Sequence, residues 1–317
     1  MNPKVIEKLG KEGYRLVGSH SAIKVCLWTK KALQGKGVCY KEKFYGISSH
    51  RCVQMSCSLF NCQNKCIHCW RDLNYTVSEK VKKPDNPEKI VDDCINEQKK
   101  ILQGFRSNEN VAEKKFAEAM APKQFAISLT GEATLYPLLS DLILELKKRK
   151  ITSFLVTNGL NPKALEKLFE KNALPTQLYI SLNSPGKKAY SKWHNSKSKN
   201  AWAKFNKSLK LMKKLGKKTR TALRLTLVKD LNMIEPENYV KLIKKASPNF
   251  VEIKAFMSVG YSRKRLGYDR MPLHSEVKSF AEKINNYLNY DFAGESTESR
   301  VVLLSSGKKK LKIKKDD

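Results

Sequence analysis

From about residue 47 the chain alternates between two hydrophobic periods. Nearly continuous apolar and β-branched runs occur at "FAISLTG" (125–131), "SFLVTNG" (153–159), "QLYISLN" (177–183), "ALRLTLV" (222–228) and "FVEIKAF" (250–256). Between them, residues 87–104, 135–150, 162–172, 200–216, 236–247 and 274–289 carry the helical period. Asn161-Pro162 and Glu235-Pro236 mark helix starts, where proline's missing N–H costs nothing. Apolar strands alternating with helices predict parallel βαβ units. A first strand near 47–54 and a late one at "VVLLSS" (301–306) bring the count to six or seven. That suits an α/β fold, an incomplete (β/α) TIM-like barrel with about six parallel strands, better than a closed eight-fold barrel. The pattern divides the chain into an N-terminal segment (1–44), the barrel (45–290) and a C-terminal strand with a basic tail (291–317). The tail "GKKKLKIKKDD" reads as a solvated, disordered charge run.

In such folds, functional groups gather at the C-terminal ends of the strands. Gly131-Glu132, Thr157-Asn158, Ser181 and Asn183 all stand there. An ordinary turn or helix cap would account for any one of them. Their recurrence in register predicts a site.

Charge changes the picture next. Sixty-two Lys and Arg against 30 Asp and Glu give a formal net charge of +32 over 317 residues. The excess is one-sided, so it predicts a polyanionic partner. Nucleic acid fits better than membrane, since no lipid-inserting helix accompanies the charge. No run of eighteen apolar residues exists, and the N-terminus lacks a signal core, so a cytoplasmic location with reduced thiols is expected. Residues 171–229 contain no Asp or Glu. Within them, Trp202, Phe205, Leu209 and Met212 follow helical spacing and read as a core stripe. Trp193 and His194, placed in the loop before that helix, are the candidates for stacking on unpaired bases, and Lys204 and Lys207 for phosphate contact.

Five of the eight cysteines fall within residues 51–72, three of them as Cys62-x3-Cys66-x2-Cys69. Structural zinc takes four ligands, commonly in CxxC pairs. His68 lies inside the x2 gap and is poorly placed to be the fourth. Three thiolates at this spacing can instead wrap a [4Fe–4S] cubane and leave one iron open for a chelating substrate. Cys26, Cys39 and Cys52 follow at equal intervals of thirteen residues and invite a second cluster, while Cys57 and Cys94 read as core thiols.

The Cys62–Cys66–Cys69 triad followed by Trp70 resembles the signature of the radical S-adenosylmethionine (SAM) enzymes, and "SLTGEATLYP" resembles their GE motif, with Ala133 where proline is more usual. The resemblance implies that the open iron binds SAM, that Trp70 lies near the adenine, and that Gly131 and Glu132 meet the SAM amino group. Thr157, Asn158, Ser181 and Asn183 join this SAM site by placement. Over nearly its whole length the chain resembles one branch of that superfamily, the 4-demethylwyosine synthases of tRNA, in their compact archaeal form. The shared text includes "GVCYKEKFYGISSHRCVQMSCSLFNCQNKCIHCWRD", "VTNG", "YISLNSP" and "FVEIKAFMSVGYS". This resemblance implies a second [4Fe–4S] cluster on Cys26, Cys39 and Cys52 and a Schiff base between Lys41 and pyruvate. The implied substrate is N1-methylguanosine beside the anticodon of tRNA-Phe, and the product its tricyclic base. An external one-electron donor and a monomer are expected, and "VEIK" (251–254) and Ser258 are further site candidates. The rival readings are a radical SAM activase or methyltransferase, or a non-catalytic, metal-stabilised RNA-binding protein.

Overall fold

The computed structural model describes residues 3–313. Ten strands form one sheet: β1 (Arg15–Val17), β2 (Ser21–Ile23), β3 (Cys52–Ser56), β4 (Gln124–Ile127), β5 (Thr152–Thr157), β6 (Gln177–Ser181), β7 (Arg220–Leu227), β8 (Phe250–Ala255), β9 (Asp291–Ser296) and β10 (Val301–Ser305). Their order is β1-β2-β3-β4-β5-β6-β7-β8-β10-β9. From β3 to β8 every pairing is parallel, giving six parallel strands. At each edge the sheet is extended by antiparallel strands, β2 and β1 on one side and β10 and β9 on the other. The expected incomplete barrel is therefore present, and strands from all three sequence segments share its sheet.

Helices cover the outer face where the helical period placed them, at Pro87–Gln103, Leu139–Lys148, Pro162–Glu170, Ala201–Leu215, Pro236–Ala246 and His274–Asn285. Pro162 and Pro236 occupy the first helical turn, as the sequence suggested. Alternate strand residues such as Leu223, Leu225, Val251 and Ile253 point outward into the main core with these helices. The other set faces the barrel interior, and there a second core forms from Phe154, Tyr179, Ala222, Phe250 and Leu303.

A short helix, Tyr40–Tyr45, plugs that interior. Tyr40, Phe44 and Tyr45 pack into the inner core with no more than 7 % of their surface exposed. The basic tail closes the same end. Arg220 donates to the carbonyls of Lys310 and Leu311 at 2.5 and 2.8 Å, and the Ile313 N–H donates to Tyr45 O at 2.9 Å. Leu311 and Ile313 pack against the inner core. Residues 308–313 are thus a docked strap rather than a solvated arm, because two apolar side chains, the Arg220 guanidinium and the Ile313–Tyr45 backbone bond hold the lysines' chain to the barrel floor. The last four residues of the tail lie outside the described residues.

Candidate active site

The loop after β3 carries Cys62, Cys66 and Cys69 to the C-terminal end of the first parallel strand. Backbone bonds fix it on two sides. Cys62 N donates to Val77 O at 2.7 Å, Lys65 N to His194 O at 2.9 Å and Ile67 N to Trp193 O at 3.0 Å. Glycine is required at 131: its φ is +72°, and a β-carbon there would drive into the Ser58 carbonyl. The following Glu132 N then reaches Asn61 O at 2.7 Å. The GE motif and the cysteine loop are therefore built against each other.

Burial pushes the Cys62 thiol up to about 11, with Arg71 opposing. Cys66 is raised further, by burial and then by its neighbours Cys62 and Cys69, so the three sulfurs face one space. Among the described residues no three such side chains close round a point fit for a single metal ion. Three thiols on one loop fall one ligand short of a structural zinc site and suit a cubane with one iron left open. The Arg71 guanidinium, 8 % exposed, supplies positive charge beside them and hydrogen-bonds Cys69. His68 turns away from this space: its Nε2 lies 3.2 Å from Asn183 Nδ2, and burial, with the Arg265 charge, lowers its pKa to about 4.

Glu132 is buried and bridges strand ends. Its Oε1 accepts Thr134 Oγ1 at 2.6 Å and Thr157 Oγ1 at 2.5 Å, and its Oε2 accepts Asn158 N at 2.7 Å. Burial raises its carboxyl pKa, against these bonds. Asn158 Nδ2 reaches Gln63 Oε1 at 3.2 Å and lies 3.8 Å from Cys62 Sγ. Asn183 Oδ1 accepts Thr226 N at 2.8 Å, and Ser181 sits in register with Arg224. Trp70 stacks on Tyr14 at 6.0 Å and 7°, with Lys24 Nζ 5.1 Å from its ring. The structure thus brings Gly131, Glu132, Thr157 and Asn158 together with the triad, ties Asn183 to the cysteine loop through His68, leaves Ser181 beside Arg224 on the neighbouring strand, and gives one face of Trp70 a protein partner.

The second set of thiols comes from three separate elements. Cys26 caps the helix Leu27–Leu33, accepting Trp28 N at 3.3 Å. Cys39 precedes the plug helix, its N–H bonded to Ser49 Oγ at 3.0 Å. Cys52 opens β3, at the opposite end of that strand from the first triad. Burial raises Cys39 to about 11 and Cys52 to about 12; in both, Lys41 opposes while the neighbouring cysteines reinforce the rise. Lys41, 7 % exposed, enters the barrel interior between two rings, its Nζ 4.4 Å from the centroid of Phe154 and 5.0 Å from that of Tyr179. Burial lowers its pKa, and the Arg224 charge lowers it further.

A charged network surrounds that lysine. Glu252 is fully buried and accepts Tyr45 OH at 2.8 Å, Tyr179 OH at 3.0 Å, Tyr40 OH at 3.0 Å and Arg224 Nε at 2.9 Å. Burial pushes its carboxyl up, but Arg224 and Lys41 outweigh that and hold it below the usual range. Lys254 donates to Ser299 O at 2.6 Å, and burial, with Arg224, lowers it to about 8. Glu252 and Lys254 belong to "VEIK"; Arg224 was not singled out from the sequence. Its signal is present, since Ala222, Arg224 and Thr226 alternate with Leu223, Leu225 and Leu227, a charged residue on one face of a strand. Ser258 ties its loop, donating to Leu266 O at 3.2 Å. A separate cavity of about 650 Å³ lies at the far end of the barrel among Lys150, Lys218 and Lys310, and holds none of the thiols.

The aromatic residues proposed for base stacking are placed differently from the expectation. Trp193 and His194 lie in a helix, Lys187–His194, and are 6 % and 4 % exposed. His194 stacks on Tyr190 at 4.2 Å, and the carbonyls of Trp193 and His194 hold the cysteine loop. Neither ring offers a face to a base. Lys204 bonds Ser198 Oγ at 2.9 Å and Lys207 pairs with Glu166 at 3.0 Å, on a helix of the outer layer. Sequence reasoning missed instead the loop after β8. Its Arg265 bonds the carbonyls of Ile67 and Cys69, and its Tyr261 N–H bonds Trp70 O at 2.8 Å, which locks it to the cysteine loop. On that lip Tyr268 is 62 % exposed, with Arg263 5.8 Å from its ring.

Residues 58–243 match the family described as the radical SAM superfamily, and residues 245–306 match the one described as wyosine base formation. A partial parallel barrel with a three-thiol loop after its first parallel strand is accordingly that of a radical SAM enzyme, which uses SAM and a [4Fe–4S] cluster. Within that superfamily the chain belongs to the S-adenosyl-L-methionine-dependent tRNA 4-demethylwyosine synthases. It is 45% identical to the Pyrococcus abyssi member over 96% of this chain and 90% of that protein. With the Methanocaldococcus jannaschii member it shares 38% identity over 99% and 100% of the two chains. A solved structure described as TYW1 with a lysine-pyruvate adduct bound superposes with a TM-score of 0.87 at 34% identity, covering 100% of this chain and 99% of that one. These findings set aside the activase, methyltransferase and non-catalytic readings, and a tRNA substrate follows from the family. Among the described residues no helix is long and apolar enough to cross a membrane.

Proposed function

We propose that this chain forms 4-demethylwyosine in tRNA-Phe by joining the N1-methylguanosine beside the anticodon to pyruvate. The observation that carries this is the Lys41 amine, enclosed in the barrel between Phe154 and Tyr179 and electrostatically coupled to the thiols of Cys39 and Cys52. In this reading Cys62, Cys66 and Cys69 hold the SAM cluster, and Cys26, Cys39 and Cys52 hold a second [4Fe–4S] cluster, with the N-terminal segment 1–44 supplying two of those thiols and Lys41. The clusters and SAM, when bound, supply the electron and the radical that takes hydrogen from the N-methyl group.

The chain's own residues do the rest. A lysine attacks a ketone only when neutral, and the low-dielectric interior and the Arg224 charge both favour the neutral amine. Condensation joins Lys41 nitrogen to the ketone carbon, and the ketone oxygen leaves as water with the two amine protons. Phe154 and Tyr179 confine the lysine's swing, so the adduct is oriented before the radical arrives. Around the first triad, Gly131, Glu132, Thr157, Asn158, Ser181 and Asn183 line the SAM side, with Trp70 next to the last cysteine. The RNA docks on the basic mouth, where the lip bearing Arg263 and Tyr268 takes the role expected of Trp193 and His194. The enzyme acts in the cytoplasm as a monomer supplied by an external one-electron donor.

Iron content after anaerobic reconstitution tests the reading. Two cubanes predict about eight irons per chain, falling to about four in Cys62→Ala/Cys66→Ala/Cys69→Ala. About four irons falling to none would remove the second cluster and the roles given to Cys26, Cys39 and Cys52.

A further inference from the structure

Three basic side chains, Lys41, Arg224 and Lys254, share the carboxylate of Glu252 inside the barrel. That carboxylate is saturated: each oxygen already accepts two donors, three tyrosine hydroxyls and Arg224 Nε among them. No lone pair of Glu252 is therefore left for a further donor, and one donor of the network stays unmatched. Arg224 Nη2 is closed off from solvent and has no hydrogen-bond partner among the described residues. A charged donor left unpaired in the interior is costly, and the deficit points to a missing partner. Arg224 lies over the same Tyr179 ring as Lys41, at 4.5 Å against 5.0 Å, so its free end and the lysine amine address neighbouring space. Its side chain, 18 % exposed, is held by the bond from Nε to Glu252 and cannot swing away without breaking it.

We infer that Arg224 is the carboxylate clamp of the keto-acid site: its Nη end receives the carboxylate of the small acid whose ketone carbon meets Lys41. A planar guanidinium fixed at Nε is suited to carboxylate recognition, because its remaining N–H groups match the two oxygens. An anion there would satisfy Nη2. Selection then comes from the carboxylate, and neutral ketones that reach Lys41 bind without it. This inference rests on the reading that Lys41 forms the adduct.

The test is reductive trapping on the cluster-loaded enzyme, without SAM or RNA. Cyanoborohydride is added with pyruvate or with methyl pyruvate, its neutral ester, and the modified Lys41 is quantified by mass spectrometry against ligand concentration. In Arg224→Gln the half-saturating pyruvate concentration should rise about 30-fold, corresponding to about 2 kcal/mol at 1.4 kcal/mol per tenfold, while that for the ester stays within about twofold. Arg224→Lys, which keeps a cation beside Glu252 but loses the fork, should rise about tenfold and serves if the glutamine variant fails to fold. Unchanged pyruvate saturation in a folded variant overturns the inference, as does an equal loss for acid and ester. No adduct in the wild type would sink the Lys41 reading itself, and the clamp with it.

Discussion

The two sets of thiols are assembled in opposite ways. Cys62, Cys66 and Cys69 come from one stretch of eight residues, and backbone bonds from Val77, Trp193 and His194 shape that loop locally. Cys26, Cys39 and Cys52 come from a helix cap, the residue before a plug helix and the start of a strand, and meet only when the barrel interior is packed. β3 separates them: about 13 Å of strand runs from Cys52 to Ser56 before the first triad's loop begins. A local motif leaves its spacing in the sequence. A site gathered from distant elements leaves only the residues.

The sharpest way to break the comparison is to disable each side alone. Cys62→Ala/Cys66→Ala/Cys69→Ala should abolish 5′-deoxyadenosine formation from SAM, whereas Lys41→Ala should still form 5′-deoxyadenosine with tRNA present and yield no tricyclic base. Loss of 5′-deoxyadenosine in both, measured by chromatography of the quenched reaction, would mean the two sides are not separable. Salt comes next. If the mouth docks 6–10 phosphates, tRNA affinity should fall roughly 10³–10⁵ between 50 and 200 mM salt, taking the duplex rule as a guide. Arg263→Ser should reduce the salt slope by about one, and Lys207→Ser, paired with Glu166 on the outer layer, by less. Filter binding across a salt series separates the two.

Gly131→Ala bears on the local side only. The positive φ and the close Ser58 carbonyl predict a loss of about 3 kcal/mol, read by chemical denaturation, with iron lost from the first triad and retained on the second. The smallest effect concerns pH. Burial, with His68, depresses His194 to about 3, so the unfolded chain binds a proton near pH 6.5 that the folded chain refuses. Stability is therefore lost as pH falls below about 6.5, by about 1.4 kcal/mol at pH 5.5. His194→Gln should remove that part of the slope in denaturation curves at pH 7.5 and 5.5.

What the sequence revealed follows the same division. The parallel strands β4 to β8 were legible because their runs are largely apolar, whereas the first, expected near 47–54, begins only at Cys52 after a turn at Ser49–Arg51, since "CVQMS" carries a single β-branched residue. β1 and β2, three residues each, carry too little pattern to be seen. "YKEKFY" carries no clear period, yet it is the plug, because a barrel interior accepts tyrosines and a lysine whose polar ends find partners there. Trp193 and His194 misled for the opposite reason. Their lysine-rich surroundings suggested a surface loop, but an eight-residue helix turns both rings inward. In Arg224 and Glu252 the signal was a charge on an alternating strand, and only packing shows that it faces an enclosed space rather than water.

The plug and the strap bear on the order of events. With the plug helix and the Leu311–Ile313 strap packed at one end of the barrel, the proposed function has the small acid entering by the mouth on which the RNA docks. On the proposed function this predicts that the keto acid loads before the RNA, and that each turnover waits for the modified RNA to leave. Adding tRNA before pyruvate should delay Lys41 trapping, and adding it afterwards should protect the adduct from exchange.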